Sequence, residues 1–207
     1  ISKDIKLVKE AEELRIKNVN AYTNINQLVK SLSTYKSFTP SQKDAEISFL
    51  LNFVKDNKCK YICEIGSQKG GSLYLLSQIA VEESLIISID IDYPIMRRLA
   101  HRKFAKNGQK IVCIKGDTRD IKTYHKTKFI LQGRELDLLF IDGDHSFFGV
   151  VNDYVRFSPL VKSGGIIAFH DICPDQFMRI GVKSNTYVGG VPLFWKALKK
   201  SGARTIE

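Results

Sequence analysis

The chain has 207 residues and a net charge of +10, with 43% hydrophobic and 26% charged residues. This balance is typical of a soluble protein with one buried core. No run of about 18 apolar residues could span a bilayer, and the first residues lack the apolar segment of a secretion signal, so we expect a cytoplasmic protein. The four cysteines show no CxxC spacing, which favours reduced thiols over a zinc site or disulfides.

Basic residues gather in three stretches, 97–106, 122–128 and 196–200. Such stretches are typical either of a surface for an anionic partner or of a solvated, lysine-rich face. They lack the regular alternation with aromatic residues that a base-stacking platform requires. We therefore expect a small-molecule or glycan partner and not a nucleic acid.

The N-terminal part is predicted to be helical. Residues 4–33 carry apolar side chains at steps of three and four, which indicates one or two amphipathic helices. We assign residues 1–36 to a helical extension that either caps the substrate or forms the interface of a homo-oligomer. A further helix is predicted to begin with Thr39 as its N-cap and Pro40 at its first position.

From residue 60 onward, short apolar runs alternate with helical patterns. Near-continuous Ile, Leu, Val and Phe in the runs indicates burial on both faces, as in a parallel sheet covered by helices. The predicted strands are 61–66, 85–90, 110–117, 136–144 and 164–171, with another beginning at 203–207. The predicted helices are 70–82, 94–106, 118–132, 147–160 and 190–201.

Acidic residues or histidines stand at the end of every predicted strand. The carboxyl ends of parallel strands meet at one edge of the sheet, where such folds bind their ligands. We therefore expect these side chains to line one crevice. They are Glu64, Asp90, Asp92, Asp117, Asp142, Asp144, His145, His170 and Asp171.

The stretch CEIGSQKGGS contains three glycines where the first strand turns into a helix. Gly66, Gly70 and Gly71 let backbone N–H groups face a ligand closely. Glu64 at the strand end would repel a pyrophosphate and suits an ammonium or sulfonium. Asp90, about 25 residues on, can accept both hydroxyls of a ribose. These charges indicate that the ligand is a nucleoside with a cationic tail.

Four segments resemble the class I S-adenosylmethionine-dependent methyltransferases: EIGSQKGG, IISIDID, IKGDTRD and the long run from LLFIDGDHS to GGIIAFHDI. Within that group the chain is most similar to the branch of cephalosporin-hydroxylase-like proteins and macrolide or rhamnosyl sugar O-methyltransferases. The resemblance implies a Rossmann-like α/β domain over 37–207, with a mostly parallel twisted sheet, helices on both faces, and the family's last strand missing.

The resemblance also implies a cofactor site for S-adenosylmethionine. The methionine part would lie along Glu64, Gly66 and Ser67, and the chain would approach it closely at Gly70. The remaining cofactor positions are Asp90 and Asp92 at the ribose, Asp117 and Thr118 at the adenine, and Asp142. The alternative interpretation of Asp117 is a cap of the helix that follows.

A hydroxyl acceptor needs a base, and His145 is the candidate. A neutral imidazole can remove the hydroxyl proton as the new bond forms, which typically contributes about 10²–10⁴-fold. Catechol-type and macrolide-sugar-type relatives place the base three positions after a metal-binding Asp, an offset that Asp142 and His145 reproduce. The alternative is that His145 caps the next helix or orders its loop.

Relatives that use a metal take its ligands from the ends of the fourth and fifth strands, which here are Asp142, His170 and Asp171. A bound Mg²⁺ or Mn²⁺ would lower the pKa of the acceptor hydroxyl. The relatives usually carry an acid where His170 stands, and imidazole suits Mg²⁺ less well than oxygen does. In the alternative without a metal, Asp171 orients His170 or a substrate hydroxyl.

The two remaining histidines and a group of aromatic residues are further candidates. His101 and His125 lie in basic helical stretches and are expected at the solvated surface. The aromatic residues around a glycine pair are interpreted as a wall over the acceptor: Tyr187, Phe194 and Trp195. Core packing of the last helix is the alternative for Phe194 and Trp195. Three functions remain: a sugar or glycan O-methyltransferase, which we favour, an RNA methyltransferase, and a cofactor-binding protein without catalysis.

Overall fold

The computed structural model describes residues 3–18, 24–182 and 187–207. Within them lie five strands and nine α-helices, with short 3₁₀ turns between some of them. The strands are β1 (Tyr61–Ile65), β2 (Leu85–Asp90), β3 (Lys110–Lys115), β4 (Leu136–Ile141) and β5 (Val161–Phe169). The helices are α1 (Lys3–Asn18), α2 (Ile25–Ser31), α3 (Asp44–Asp56), α4 (Gly71–Ile79), α5 (Ile95–Arg102), α6 (Ile121–Leu131), α7 (Phe147–Phe157), α8 (Gln176–Ile180) and α9 (Val191–Lys200).

The five strands form one parallel sheet in the order β3-β2-β1-β4-β5. Strands β1 to β3 run outward in one direction, and the chain then crosses back so that β4 pairs with the other side of β1. The strand order therefore reverses between β1 and β4, which is where open α/β sheets form their ligand crevice. The predicted parallel sheet is confirmed.

Helices cover both faces of the sheet, as predicted. Alternate strand residues point to opposite faces, so Ile62 packs into a core with the helices α1 to α5, while Cys63 packs into the other core with α6, α7 and α9. Strands β1, β2 and β4 are buried almost throughout. Burial on both faces explains why their sequences are runs of large apolar residues.

The N-terminal helices pack directly onto this core. Ala11 and Leu14 of α1 are fully buried and share one apolar cluster with Leu28 of α2 and with the strands. Helix α1 lies against α5, and Glu12 lies 3.7 Å from Lys103 at the end of that helix. In this structure the N-terminal helices are thus part of the layer that covers one face of the sheet.

The predicted start of the third helix was wrong. Helix α3 begins at Asp44, and the Glu46 carboxylate accepts from the backbone N–H of Lys43 at 3.3 Å. The Thr39 hydroxyl instead donates backward to the carbonyl of Tyr35, at the end of a 3₁₀ turn. Residues 203–207, where another strand was predicted to begin, form no strand.

The prediction for His101 was also wrong, whereas His125 is exposed as expected. His101 on α5 has no exposed surface, and its ring stacks on Phe104 with centroids 5.4 Å apart. Among the residues that the structure describes, no helix has the length and apolar character needed to cross a membrane.

Candidate active site

The chain segments just beyond the strands remain hydrogen-bonded side by side. The N–H of Gly66 donates to Ile89, and the N–H of Asp142 donates to Ile65, both at 2.9 Å. His170 follows in the same way, with its N–H 3.1 Å from the carbonyl of Ile141. The predicted polar residues are therefore held at one edge of the sheet.

Two glycines of the loop 66–70, which we call the glycine loop, are required by close packing. Gly66 has φ +90°, and a Cβ there would lie 2.0 Å from the backbone oxygen of Asp142. Gly70 has φ +86°, and a Cβ there would lie 2.2 Å from Nε2 of His101. Both glycines thus make room for neighbouring protein groups below the loop.

Glu64 and Ser67 lie beneath the surface of the crevice. Oε1 of Glu64 accepts from the Ser72 hydroxyl at 2.5 Å, whereas its other oxygen is buried and has no hydrogen-bond partner among the residues that the structure describes. Burial raises the pKa of Glu64 to about 7, although the bond from Ser72 opposes this. The Ser67 hydroxyl is bonded to that of Ser88, so a ligand would meet the backbone of Ser67.

Asp90 and Asp92 differ in their roles, although the sequence offered both for the ribose. The Asp90 carboxylate accepts from the backbone N–H of Gln68 at 2.8 Å and from that of Asp92 at 2.9 Å. Asp90 thereby joins the glycine loop to the end of β2. Asp92 is exposed on the turn that Asp90 holds.

Asp117 and Thr118 lie beyond β3, at the predicted adenine position. Asp117 accepts from the guanidinium and from the backbone N–H of Arg119, and these bonds lower its pKa. The cap of α6 is Asp120, whose carboxylate accepts from the N–H of Lys122. The alternative interpretation of Asp117 as the helix cap was therefore wrong.

Sequence reasoning missed Asp153 on α7, which faces this position from below. Its carboxyl group is almost fully buried and accepts a bond from Thr118, whereas its Oδ2 has no hydrogen-bond partner within the described parts of the chain. Burial raises the pKa of Asp153 to about 6. Its spacing from the other acids carries no periodic signal, and only the packing of α7 brings it here.

Four side chains from the ends of β4 and β5 form what we call the acid–imidazole cluster: Asp142, His145, His170 and Asp171. Oδ1 of Asp142 lies 3.3 Å from Nε2 of His145 and 3.1 Å from Nδ1 of His170. Oδ2 of Asp171 lies 3.3 Å from Nδ1 of each imidazole. Each of the two imidazoles thus lies within 3.3 Å of both carboxylates.

The charges of this cluster support one another. The hydrogen bond to Asp142 raises the pKa of His145 to about 9. Burial lowers the pKa of His170, but bonds to Asp142 and Asp171 outweigh burial and raise it to about 10. Burial opposes ionisation of Asp142, yet the bonds from both imidazoles lower its pKa. At neutral pH both imidazoles are therefore protonated beside the Asp142 carboxylate.

A second residue that the sequence did not indicate is Gln42, which precedes α3. Its amide nitrogen donates to Oδ2 of Asp142 at 2.5 Å, and its buried oxygen meets no hydrogen-bond donor in residues 3–18, 24–182 and 187–207. Glu46 lies 3.7 Å from Nε2 of His170. One hundred residues separate Gln42 from Asp142, so no local motif could have revealed the pair.

The glycine pair before α9 packs against His145. The carbonyl of Tyr187 lies 2.9 Å from Nδ1 of His145, and the N–H of Gly190 donates to the carbonyl of His145 at 2.7 Å. The Tyr187 side chain is exposed, whereas Phe194 is buried among aromatic rings. Of the two predicted roles, core packing thus fits Phe194 and a wall of the crevice fits Tyr187.

The ligand atoms of Asp142, His170 and Asp171 all lie within 4.8 Å of one another. Two carboxylate oxygens and one imidazole nitrogen are a donor set that Mn²⁺, Zn²⁺ or Fe²⁺ accepts readily and Mg²⁺ less readily. A cation bound there would replace the proton on His170, because a ligating imidazole nitrogen carries no proton. The residues present therefore fit a divalent cation.

A curated relative matches part of the chain. An uncharacterized protein of Acanthamoeba polyphaga mimivirus is 32% identical over 127 residues, which cover 59% of this chain. The chain spans about half the length, 55%, of that relative.

Two solved structures share the Rossmann-like methyltransferase fold. An O-methyltransferase from Bacillus cereus, in complex with SAH, is 15% identical with a TM-score of 0.56, covering 89% of this chain and 83% of its own. MycE methyltransferase of the mycinamycin pathway, in complex with Mg, SAH and mycinamycin VI, is 19% identical with a TM-score of 0.50. The match covers 70% of this chain and 37% of the MycE chain. A family model described as a methyltransferase domain matches residues 63–172, more than half of the chain, and the chain therefore belongs to that family.

Proposed function

We propose that this protein transfers a methyl group from S-adenosylmethionine to a hydroxyl of a sugar, glycan or related small molecule. The observation that carries the proposal is the acid–imidazole cluster, which lies at the same sheet edge as Glu64 and Asp90. The cluster has the groups that deprotonate a hydroxyl, and the glycine-loop side has acids for a cationic nucleoside. The two structural neighbours contain SAH, and one is an O-methyltransferase.

The residues of the glycine-loop side fit this cofactor. Each oxygen of Asp90 accepts one backbone N–H, which leaves lone pairs for the two hydroxyls of a ribose. The unpartnered oxygen of Glu64 lies in a low-dielectric environment, where its charge attracts a nearby cationic group strongly. The cofactor supplies an electrophilic methyl group on a sulfonium.

Within the cluster, His145 is the proposed base. Its Nδ1 lies against the carbonyl of Tyr187, which orients the ring and leaves Nε2 on the side of Asp142. For catalysis His145 must first release its proton, so that the neutral Nε2 can leave Asp142 and accept the proton of the acceptor hydroxyl; the imidazolium formed by this transfer then returns to Asp142. Asp142 thus stabilises the protonated product state of the base.

Asp142, His170 and Asp171 would hold a divalent cation in the metal-assisted form of the reaction. Such an ion would polarise the acceptor hydroxyl and, by taking up the charge of Asp142, favour the neutral form of His145. Gln42 would keep Asp142 in place through its 2.5 Å hydrogen bond. Magnesium in MycE supports this proposal.

Calorimetry with S-adenosylmethionine and with SAH tests cofactor binding. We expect micromolar affinity for both compounds, and titration with Mg²⁺ and with Mn²⁺ then tests the metal. Absence of binding of either nucleoside to the folded protein would refute the proposed function.

Asp90→Ala and Asp92→Ala form a matched pair for the cofactor site. Asp90 contacts the glycine loop and presents its carboxylate to the crevice, so its removal should weaken SAH binding about 10–100-fold. Asp92 is exposed, and its removal should change binding less than about threefold. Equal effects of the two substitutions would contradict this assignment of the ribose site.

His145→Ala separates binding from chemistry. The variant should bind SAH like the wild type and lose methyl transfer by at least about 10²-fold, measured with a panel of hydroxylated sugars and small glycans. Full activity of this variant would show that the base lies elsewhere.

A further inference from the structure

A buried polar chain beneath the glycine loop is not used by the chemistry described above. It centres on His101 of α5, which has no exposed surface. Nε2 of His101 lies 3.0 Å from the carbonyl oxygen of Lys69 in the loop, and its Nδ1 lies 2.6 Å from the hydroxyl of Tyr93. An imidazole with both nitrogens bonded in an apolar core needs an explanation, because burying polar groups is costly unless their bonds are made.

The partners determine which nitrogen carries the proton. The Lys69 carbonyl can only accept, so Nε2 must donate to it. Burial lowers the pKa of His101 to about 4, so the ring is neutral and Nδ1 accepts from the Tyr93 hydroxyl. His101 is therefore locked in one tautomer that points its only N–H at the glycine loop.

The chain continues from Tyr93 to the other end of the loop. The Ser88 hydroxyl lies 2.9 Å from that of Tyr93 and is also bonded to the hydroxyl of Ser67. Ser67 is the second residue of the glycine loop and Lys69 is the fourth. Both ends of the loop are thus tied to one line of buried hydrogen bonds that runs through β2 and α5.

Further features agree with a fitted contact between His101 and the loop. At Gly70 any side chain would overlap the imidazole, since a Cβ there would lie 2.2 Å from Nε2. Arg97, one turn earlier on α5, donates to the carbonyl of Gln68 at 3.0 Å from the exposed side. Helix α5 therefore contacts two successive loop carbonyls, one from outside and one from beneath.

We propose that His101 is a positioning residue for the methyl donor: its N–H holds the Lys69 carbonyl and so presets the glycine loop in the shape that receives the nucleoside. This inference rests on the proposed function, because it assigns the loop to that cofactor. His101 does not touch the ligand and takes no part in proton transfer. It lowers the ordering cost that binding would otherwise include.

Three substitutions separate this role from simple core packing. His101→Leu fills the space without either hydrogen bond. His101→Gln places a donor where Nε2 lies and can still reach Lys69, whereas His101→Asn places a polar group near Nδ1 and reaches only Tyr93. His125→Leu, on the exposed face of α6, is the matched control.

The first measurement is amide hydrogen exchange of residues 66–71 in the ligand-free protein, together with thermal unfolding. We expect His101→Leu and His101→Asn to exchange about tenfold faster in the loop and His101→Gln to stay within about threefold of the wild type. His125→Leu should match the wild type. If His101→Leu does not fold, the difference in loop exchange between His101→Gln and His101→Asn tests the proposal.

The second measurement is SAH affinity by calorimetry, with kinetics for any acceptor that turns over. We expect His101→Leu and His101→Asn to weaken SAH binding about tenfold or more and to raise KM for the methyl donor with little change in kcat, and His101→Gln to restore both. Equal behaviour of Gln and Asn, or loop exchange unchanged by Leu, would overturn the role of His101. Lack of SAH binding by the wild type would instead refute the proposed function, while the exchange data would still decide whether His101 orders the loop.

Discussion

The two halves of the crevice differ in how their polar groups are held. On the half formed by β1 and β2, the glycine loop is tied from beneath by neutral groups, with His101, Tyr93 and Ser88 in one buried line. On the half formed by β4 and β5, charged groups face one another at the crevice, with Asp142 shared between two imidazoles.

The difference corresponds to two tasks. A neutral, fully buried network has one low-energy arrangement and suits a ligand of constant shape, such as a nucleoside. A half-buried charged cluster can exchange protons and partners, which suits proton transfer and variable acceptors.

The largest effect is expected where the two halves touch. Gly66→Ala would place a Cβ 2.0 Å from the backbone of Asp142 at φ +90°, so we expect a loss of about 4 kcal/mol or more in the free energy of unfolding. Gly133→Ala is the control, because its φ is +82° and no atom lies within 4 Å of its added Cβ. It should cost only about 1 kcal/mol, measured by urea unfolding, and an equal loss in both variants would contradict the close contact.

The charged half should respond to Asp142→Asn. The pKa values of His145 and His170 are raised to about 9 and about 10, so their stabilising effect is complete below pH of about 6.5 and is lost as pH rises through those values. We expect the variant to lose about 2–3 kcal/mol at pH 6 and progressively less toward pH 10.

The measurement is the free energy of unfolding at several pH values for the wild type and the variant. Asp144→Asn in the same loop is the control, since its side-chain oxygen accepts from the N–H of Ser146 and an amide oxygen keeps that bond. A difference between wild type and Asp142→Asn that does not shrink with rising pH would contradict the charge arrangement.

The smallest effect has the opposite sign and concerns Glu64. Its pKa is raised to about 7 by burial, so the native state binds an extra proton between pH of about 4.3 and 7, and stability falls as pH rises through that window. Glu64→Gln should therefore stabilise the ligand-free protein by about 1–2 kcal/mol at pH 8 and not at pH 4, while weakening binding of the cationic donor.

Urea unfolding at pH 8 and pH 4, with calorimetry for S-adenosylmethionine, checks this prediction. Glu83→Gln is the control, because Glu83 forms only an exposed pair with Lys60 at 3.4 Å. A destabilised Glu64→Gln variant at pH 8 would mean that the buried charge is compensated in a way that the hydrogen bond from Ser72 does not explain.

The strands were predictable because burial on both faces leaves a local signal. The observed β1 to β4 begin at the predicted residues; β2 also ends where predicted, and the other three end one to three residues earlier. Helix α6 was found although its pattern is weak. The offset of three between Asp142 and His145 was likewise readable, since both belong to one short loop. These features depend on neighbours in the chain.

Two of the wrong predictions, those for His101 and for the start of α3, share one cause. His101 stands among arginines and lysines, and the sequence around it resembles an exposed helix, yet Phe38, Phe104 and the glycine loop pack around it. Thr39 and Pro40 form a good helix start locally, but their segment packs against α4, where a Cβ at Gly71 would meet Phe38 and Pro40. Contacts between distant segments outweighed the local preference in both cases.

The sequence by itself determined the parallel α/β sheet, the edge at which acids and histidines gather, and the family resemblance. It did so because apolar periodicity and strand-end residues are local properties. Only the tertiary structure decided that Gln42 contacts Asp142, that Asp153 lies beneath Thr118, and that His101 supports Lys69. Each of these joins segments far apart in the chain, and burial or partnership of a polar group depends on what packs over it.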